Sequence, residues 1–300
     1  MFREQLNKNI VTKKGLSSFS LKCIATVCMI LDHAGEYLQF PVFFRYIGRL
    51  AAPLFIYCCV LGCIHTKDIK RYMKRLYIGG IIMAIFDMWA QIHVNFFRTL
   101  FSIVLIIAIV KEYEKTKDIK VWLKYIAWQV LTSIICYLIA ANTWVDLEGM
   151  GAYILPALFG NLLFLEGGIF YVLVGVWFYY THDNRKKRNI GYIIMVLVFV
   201  IGMQSNPYLI YGIIPKIQYL CGAFGEIAGV FIEEILGNGY LCVGTCWYRK
   251  IGDNYQWMML AAIPFIELYD GTKGKGGKWF FYIFYPVHYI LFYCIGTYLL

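Results

Sequence analysis

Charge is scarce in this chain. Aspartate, glutamate, lysine and arginine make up 15% of its 300 residues, against roughly a quarter in an ordinary soluble domain. Acidic residues are the scarcer sign, 18 against 28 basic ones. The polar stretches between apolar runs are too short to hold a separate soluble domain, so residues 1–300 read as one membrane domain. Several active-site signatures are also missing. No GxSxG elbow, HExxH helix, Rossmann fingerprint or Walker A loop occurs, which removes several hydrolase, metalloprotease, dehydrogenase and nucleotidase readings. The ten cysteines form neither a CxxC motif nor a zinc spacing. Most lie in apolar runs, where cysteine is a small hydrophobe. Cys242 and Cys246 are the close pair in a polar setting and read as packing residues; no metal is expected.

What the chain has in abundance is apolar sequence: 60% of residues are hydrophobic, and mean hydropathy is +0.62. Runs of the roughly 20 residues that a bilayer crossing needs recur along it. The expected fold is an all-α polytopic integral membrane bundle of about nine to eleven transmembrane helices, with a broken or re-entrant middle segment. The expected spans are 19–37, 43–64, 73–90, 96–111, 121–141, 189–203, 255–269 and 279–299. Between them, 149–180 is too long for one straight crossing and short for two, and Pro156, Gly160 and Gly167–Gly168 permit a broken helix there. Residues 204–250 read as two short crossings or as interfacial and re-entrant pieces around Pro207, Pro215, Glu226 and Glu233–Glu234.

The basic residues fall at the N-terminus and in the segments Lys67–Arg75, Lys111–Lys124 and Arg185–Arg188. By the positive-inside rule these loops and residues 1–18 are cytoplasmic, and the first apolar run is a retained span rather than a cleaved signal. The net charge of +10 therefore marks topology, with attraction for anionic headgroups or an anionic cofactor. It is not a nucleic-acid signal.

The richest stretch is SLKCIATVCMILDHAGEY, Ser20–Tyr37. Lys22 and His33 are 11 residues apart, close to three helical turns, so they share one face roughly 16 Å apart along the axis. Histidine can take a proton at physiological pH, and an ionisable residue inside a span is a functional candidate by default. Asp32 points about 100° away from His33 and so serves either His33 or a neighbouring helix. Tyr37, one turn on, is a substrate contact or part of an interfacial aromatic belt. In FFRYIGRLAAPLF, Arg45 and Arg49 share a face, with Gly48 giving close approach and Pro53 a bend. His93, Asn95 and Arg98 form a polar cluster that binds an acceptor or is a solvated loop. Asp87 would seek an arginine. In ELYDGTKGKGGKWFFYIFYPVHYILFY, Lys273, Lys275 and Lys278 lie among glycines whose N–H groups suit an anion. His288 is a second buried-histidine candidate in the last span.

In order, the DH pair, GRLAAPLF, VNFFRTL and KWFFYIFYPVH resemble the TraX family, from about residue 18 to the C-terminus. That family is similar to the wider membrane acyltransferase-3 superfamily. There an Arg-x10-His arrangement in the first span serves transfer from acyl-CoA. Here Lys22 and His33 match it, with lysine in place of arginine, which keeps the charge but loses the planar fork. The chain also departs at Asp146-Leu147-Glu148-Gly149, where the family has Asp-Tyr-Gly, and beside this resemblance residues 204–250 look like a divergent, insertion-like region.

The resemblance implies acetyl-CoA or another acyl-CoA as donor, entering from the cytoplasm, and no metal. Its phosphates would meet Lys22, Arg45, Lys273, Lys275 and Lys278. His33, with Asp32 and Arg49, would form the catalytic set. Tyr37, Asn95, Arg98 and His288 would bind an acceptor amine or hydroxyl on an exported peptide, glycan or lipid. The expected partners are this donor, this acceptor and membrane lipids, with a monomer as the working unit. Two readings compete: a proton-coupled transporter of a small solute using His33 as a relay, and a non-catalytic membrane scaffold.

Overall fold

Helix α1, Ser18–Tyr37, starts where the sequence offers a cap: the Ser17 hydroxyl accepts the Ser20 N–H at 3.1 Å. The computed structural model describes residues 15–140, 149–200 and 255–299, together with Lys216, Tyr219, Gly222 and Gly225. Among them no sheet forms, and the one bridge joins Leu16 to Tyr269. The helices after α1 are α2 Phe43–Gly48, α3 Ala51–His65, α4 Ile69–Ala90, α5 Phe96–Thr116 and α6 Lys120–Ala140. A π-helical turn at Met150–Ile154 then leads into α7, Leu155–Phe159, followed by α8 Gly168–Tyr180 and α9 Arg185–Leu197. A 3-10 helix at Tyr255–Ala262 runs into α10, Ile263–Glu267, and α11 is Lys278–Tyr298. Asp68, Asn95 and Asn184 cap α4, α5 and α9 as Ser17 caps α1, each accepting a backbone N–H three residues on.

The chain is thus an integral membrane helical bundle with a broken middle segment, as the apolar pattern implies. Phe43–His65, Lys120–Ala140 and Trp279–Tyr298 are long and apolar enough to cross a membrane outright. Lipid-facing stripes follow helical spacing: Ile78, Ile82, Ile85 and Trp89 on α4, and Ile283, Val287 and Leu291 on α11, are exposed. The inner faces of α1, α3, α5 and α8 interlock around Leu21, Leu54, Ile56, Val60, Ile103 and Ile107, which are fully buried. With lipid outside, close van der Waals packing of this kind holds the helices together.

Two expected spans carry local irregularities. The expected 43–64 crossing is present as Phe43–His65, with its helical hydrogen bonding interrupted at Arg49–Leu50, where both residues keep right-handed helical backbone. Pro53 lacks the N–H that would bond the Arg49 carbonyl and crowds that carbonyl, so the interruption falls one turn before it, in line with the expected bend. Residues 255–269 are mostly 3-10 helix, whose rise of roughly 2.0 Å per residue stretches a short segment further than an α-helix would. The broken stretch 149–180 matches the expectation: a π-turn, the five-residue α7, a loop and α8. Residues 1–14, Asp146, Glu148 and the 204–250 region with Cys242 and Cys246 lie outside the described residues, save the four named above.

Candidate active site

Asp32 and His33 leave α1 in different directions. Asp32 faces the α2–α3 turn, where its Oδ2 pairs with Arg49 Nη2. The approach depends on Gly48, since a Cβ there would overlap the Asp32 side chain. Arg45 extends the cluster: its Nη1 donates to Glu36 Oε2 at 2.5 Å and to the Asp32 carbonyl at 3.2 Å, and its Nη2 reaches the Tyr255 hydroxyl at 3.4 Å. The Tyr255 ring lies 5.4 Å from the Arg45 guanidinium carbon and 5.2 Å from that of Arg49. Two carboxylates thus face two guanidiniums over an aromatic ring, which is how ionic groups are tolerated at this depth. Arg49 keeps one group spare: its buried Nε–H has no hydrogen-bond partner. Ligand atoms of Asp32, His33 and Glu36 approach within 4.8 Å of one another, but both carboxylates are already held by these arginines.

His33 faces α11. Its Nδ1 lies 2.8 Å from His288 Nε2, and His288 Nδ1 lies 2.9 Å from the Phe284 carbonyl. A carbonyl only accepts, so His288 carries its proton on Nδ1. With a neutral ring, His288 Nε2 accepts, and His33 must donate from Nδ1. His33 Nε2 is left as a bare lone pair. The ring of Tyr289 packs edge-on against His33 at 4.7 Å, and the Tyr289 and Tyr37 hydroxyls are hydrogen-bonded to each other.

That lone pair belongs to a residue lining a cavity of about 50 Å³, shared with Asp32, Arg49, Glu166, Tyr171 and Tyr285. Met29, Phe55, Phe96 and Tyr285 line both this cavity and a larger chamber of about 640 Å³, so the two adjoin. The chamber is walled mainly by apolar and aromatic side chains, and its polar lining includes Lys22, Arg75 and Lys273. Lys22 and Lys273 also line a groove of about 400 Å³ with Lys275. The Asp270–Gly277 loop is fixed there by the start of α1: Ser18 N–H donates to Thr272 O at 2.9 Å and Phe19 N–H to Lys273 O at 3.1 Å. Gly274 has φ +71°, and a Cβ on it would strike Ser17, so glycine is required for this seating. Lys278 is the first residue of α11.

Several candidates take other positions. Arg45 sits with carboxylates beyond His33, not with the lysines of the basic groove. Asn95 donates to the Gly80 carbonyl at 2.8 Å, and Arg98 donates to the carbonyls of Asn161, Leu163 and Phe164. Neither lines the small cavity. Asp87 is buried beside Asn95 and Arg98. Sequence reasoning missed Glu166, Tyr285 and Arg75. Glu166 had a signal, a lone carboxylate before two glycines in an apolar run. Arg75, whose buried Nε–H is unpartnered, was hidden in a basic loop that read as topology.

The TraX family profile, described as TraX protein, matches residues 17–159 and 152–296. The chain belongs to the TraX family. It is similar to the "Probable fimbrial assembly protein FimC, serogroup H1" of Dichelobacter nodosus, with 23% identity over 282 residues, 91% of this chain and 92% of the relative. No solved structure matches it significantly. Family and helical architecture together support a general membrane acyltransferase role.

Proposed function

We propose that this protein moves an acetyl or other acyl group from acyl-CoA to an amine or hydroxyl of an exported peptide, glycan or lipid, with His33 as general base. One observation carries the reading. His33 Nε2 is an unprotonated nitrogen on a residue that lines a small polar cavity, and that cavity adjoins a chamber with a basic rim. A chamber of about 640 Å³ is within the range that buries a small-molecule ligand. Its apolar walls suit a pantetheine arm, and Lys22, Lys273, Lys275 and Arg75 suit phosphates.

The chemistry follows from the donors and acceptors in place. His33 Nε2 takes the proton of the acceptor as its nitrogen or oxygen bonds to the thioester carbonyl carbon. The free Nε–H of Arg49 is the donor available to the developing oxyanion, and its charge is fixed in place by Asp32. His33 then returns the proton to the departing thiolate as the carbon–sulfur bond breaks. His288 keeps His33 in the reactive tautomer throughout. Arg45 we reassign from donor binding to holding Glu36 and Asp32. Asn95 and Arg98 act as scaffold, and Tyr37 aligns the histidine pair from its bond to Tyr289. With the basic rim as donor entrance, the N-terminus faces the cytoplasm of a bacterial cytoplasmic membrane and the acceptor approaches from the other side.

The test uses purified protein in nanodiscs, comparing wild type with His33→Ala. Acetyl-CoA should raise the melting temperature of both. Wild type should consume the thioester, and the variant should not. A folded wild type that is neither stabilised nor active would contradict the donor assignment and favour a transporter.

A further inference from the structure

The loop joining α7 to α8 is built with unusual insistence. Gly160, Phe164, Gly167 and Gly168 all have positive φ, from +54° to +76°, a region that glycine enters freely and phenylalanine does not. Polar side chains from two other helices hold it. Arg98 of α5 bonds three of its carbonyls, at 2.7 to 3.2 Å. Asn161 reaches Thr132 and Ser133 of α6 at 2.7 and 2.9 Å, and Gln129 accepts the Leu162 N–H at 3.0 Å. Thr99 then donates to the carbonyl of Glu166 itself at 2.7 Å. The loop places the Glu166 carboxyl on the cavity that His33 and Arg49 also line.

Unlike Asp32, which two arginines hold, Glu166 has no cationic partner among the described residues, and its one side-chain hydrogen bond there is to the Tyr285 hydroxyl at 3.4 Å. That hydroxyl has a nearer acceptor for its single proton, the Val94 carbonyl at 2.5 Å, and it accepts the Phe96 N–H at 3.0 Å. A carboxyl group offers about four lone-pair sites when ionised, and most of them meet no donor among the described residues. A carboxyl within a membrane bundle seeks a partner, and the cavity that Glu166 lines with His33 and Arg49 gives a ligand access to it.

We propose that Glu166 is an acceptor-binding residue. It accepts a hydrogen bond from the acceptor, either from the second N–H of an amine or from a hydroxyl neighbouring the reacting one, beside the atom that His33 deprotonates. It thereby sets how the acceptor enters the cavity, while the donor enters from the chamber. This rests on the acyltransfer reading above.

The experiment measures transfer from acetyl-CoA to butylamine and to propane-1,2-diol by wild type, Glu166→Ala and Glu166→Gln in nanodiscs. Glu166→Ala should raise the acceptor KM by roughly ten- to a hundredfold, the value of a hydrogen bond to a charged group. Glu166→Gln, the same size with a weaker acceptor, should fall between. The KM for acetyl-CoA and the stabilisation by acetyl-CoA should stay within about twofold, since the donor reaches the site through other residues. Should the alanine variant fail to fold, the isosteric glutamine carries the test. An active wild type with unchanged acceptor KM in both variants overturns this inference alone, as does an equal rise in both KM values. A wild type that consumes no acetyl-CoA overturns the acyltransfer reading and this inference with it.

Discussion

Arg49 and Arg98 are both largely buried among apolar helices, yet Arg49 faces a carboxylate and a cavity whereas Arg98 faces three carbonyls of one loop. Arg98 spends both Nη groups on backbone, and its own unpartnered Nε–H belongs to a residue that does not line the cavity of His33. Arg49 is held by Asp32 and keeps an N–H free beside His33. Burial alone thus does not separate a working arginine from a structural one. Nor does a spare donor, since each keeps an unpartnered Nε–H; what separates them is whether the residue lines the cavity that His33 lines. Both sit in blocks that match the family, GRLAAPLF and VNFFRTL, so sequence pattern could not make the distinction either.

The comparison can be broken most forcefully by removing each guanidinium. Arg98→Leu should cost about 3–5 kcal/mol, because three buried carbonyls lose their donor at once; thermal melting in nanodiscs would show it. Arg49→Leu should cost a little less, about 2–4 kcal/mol, since Asp32 loses its nearer arginine and keeps only Arg45 at 3.5 Å. Lysine substitution sharpens the contrast. Arg49→Lys keeps the charge but loses the planar fork and the Nε–H, so it should lower kcat by roughly a hundredfold or more while the melting temperature moves little. Arg98→Lys should do the reverse, since one ammonium cannot span carbonyls at 161, 163 and 164. Activity per folded molecule should stay close to wild type. Equal activity losses in the two lysine variants would erase the distinction.

Smaller effects lie further from the reacting atoms. His288→Ala frees the His33 tautomer and should slow turnover by roughly tenfold to a hundredfold at unchanged acetyl-CoA affinity. Lys22→Ala and Lys273→Ala should each raise the acetyl-CoA KM a few-fold, an effect that fades with added salt because these groups lie at a solvated rim. A salt-insensitive change would place the donor elsewhere.

The local parts of this picture were legible in the sequence. Helical spacing aligned Lys22 with His33, and α1, α4, α5, α6 and α11 begin and end near the limits that apolar runs and caps imply. The 100° offset between Asp32 and His33 left open which helix each would serve; the fold turns one to Arg49 and the other to His288. The rest depended on distance along the chain. His288 is 255 residues from His33, and no local periodicity links them. Glu166 lies in a stretch whose glycines announced a bend but not what the bend presents. Arg45 went to the carboxylates because Glu36, one turn beyond Asp32, faces the same helix.

In the proposed reaction, donor and base meet where the chamber joins the small cavity. The most direct test is a structure of the protein with a thioether analogue of acetyl-CoA, whose carbon–sulfur bond cannot be cleaved. The prediction is an analogue with phosphates at Lys22 and Lys273, an arm through the chamber, and its carbonyl within hydrogen-bonding reach of Arg49 Nε beside His33 Nε2. An analogue seated outside the chamber, or one whose carbonyl lies away from His33, would contradict it.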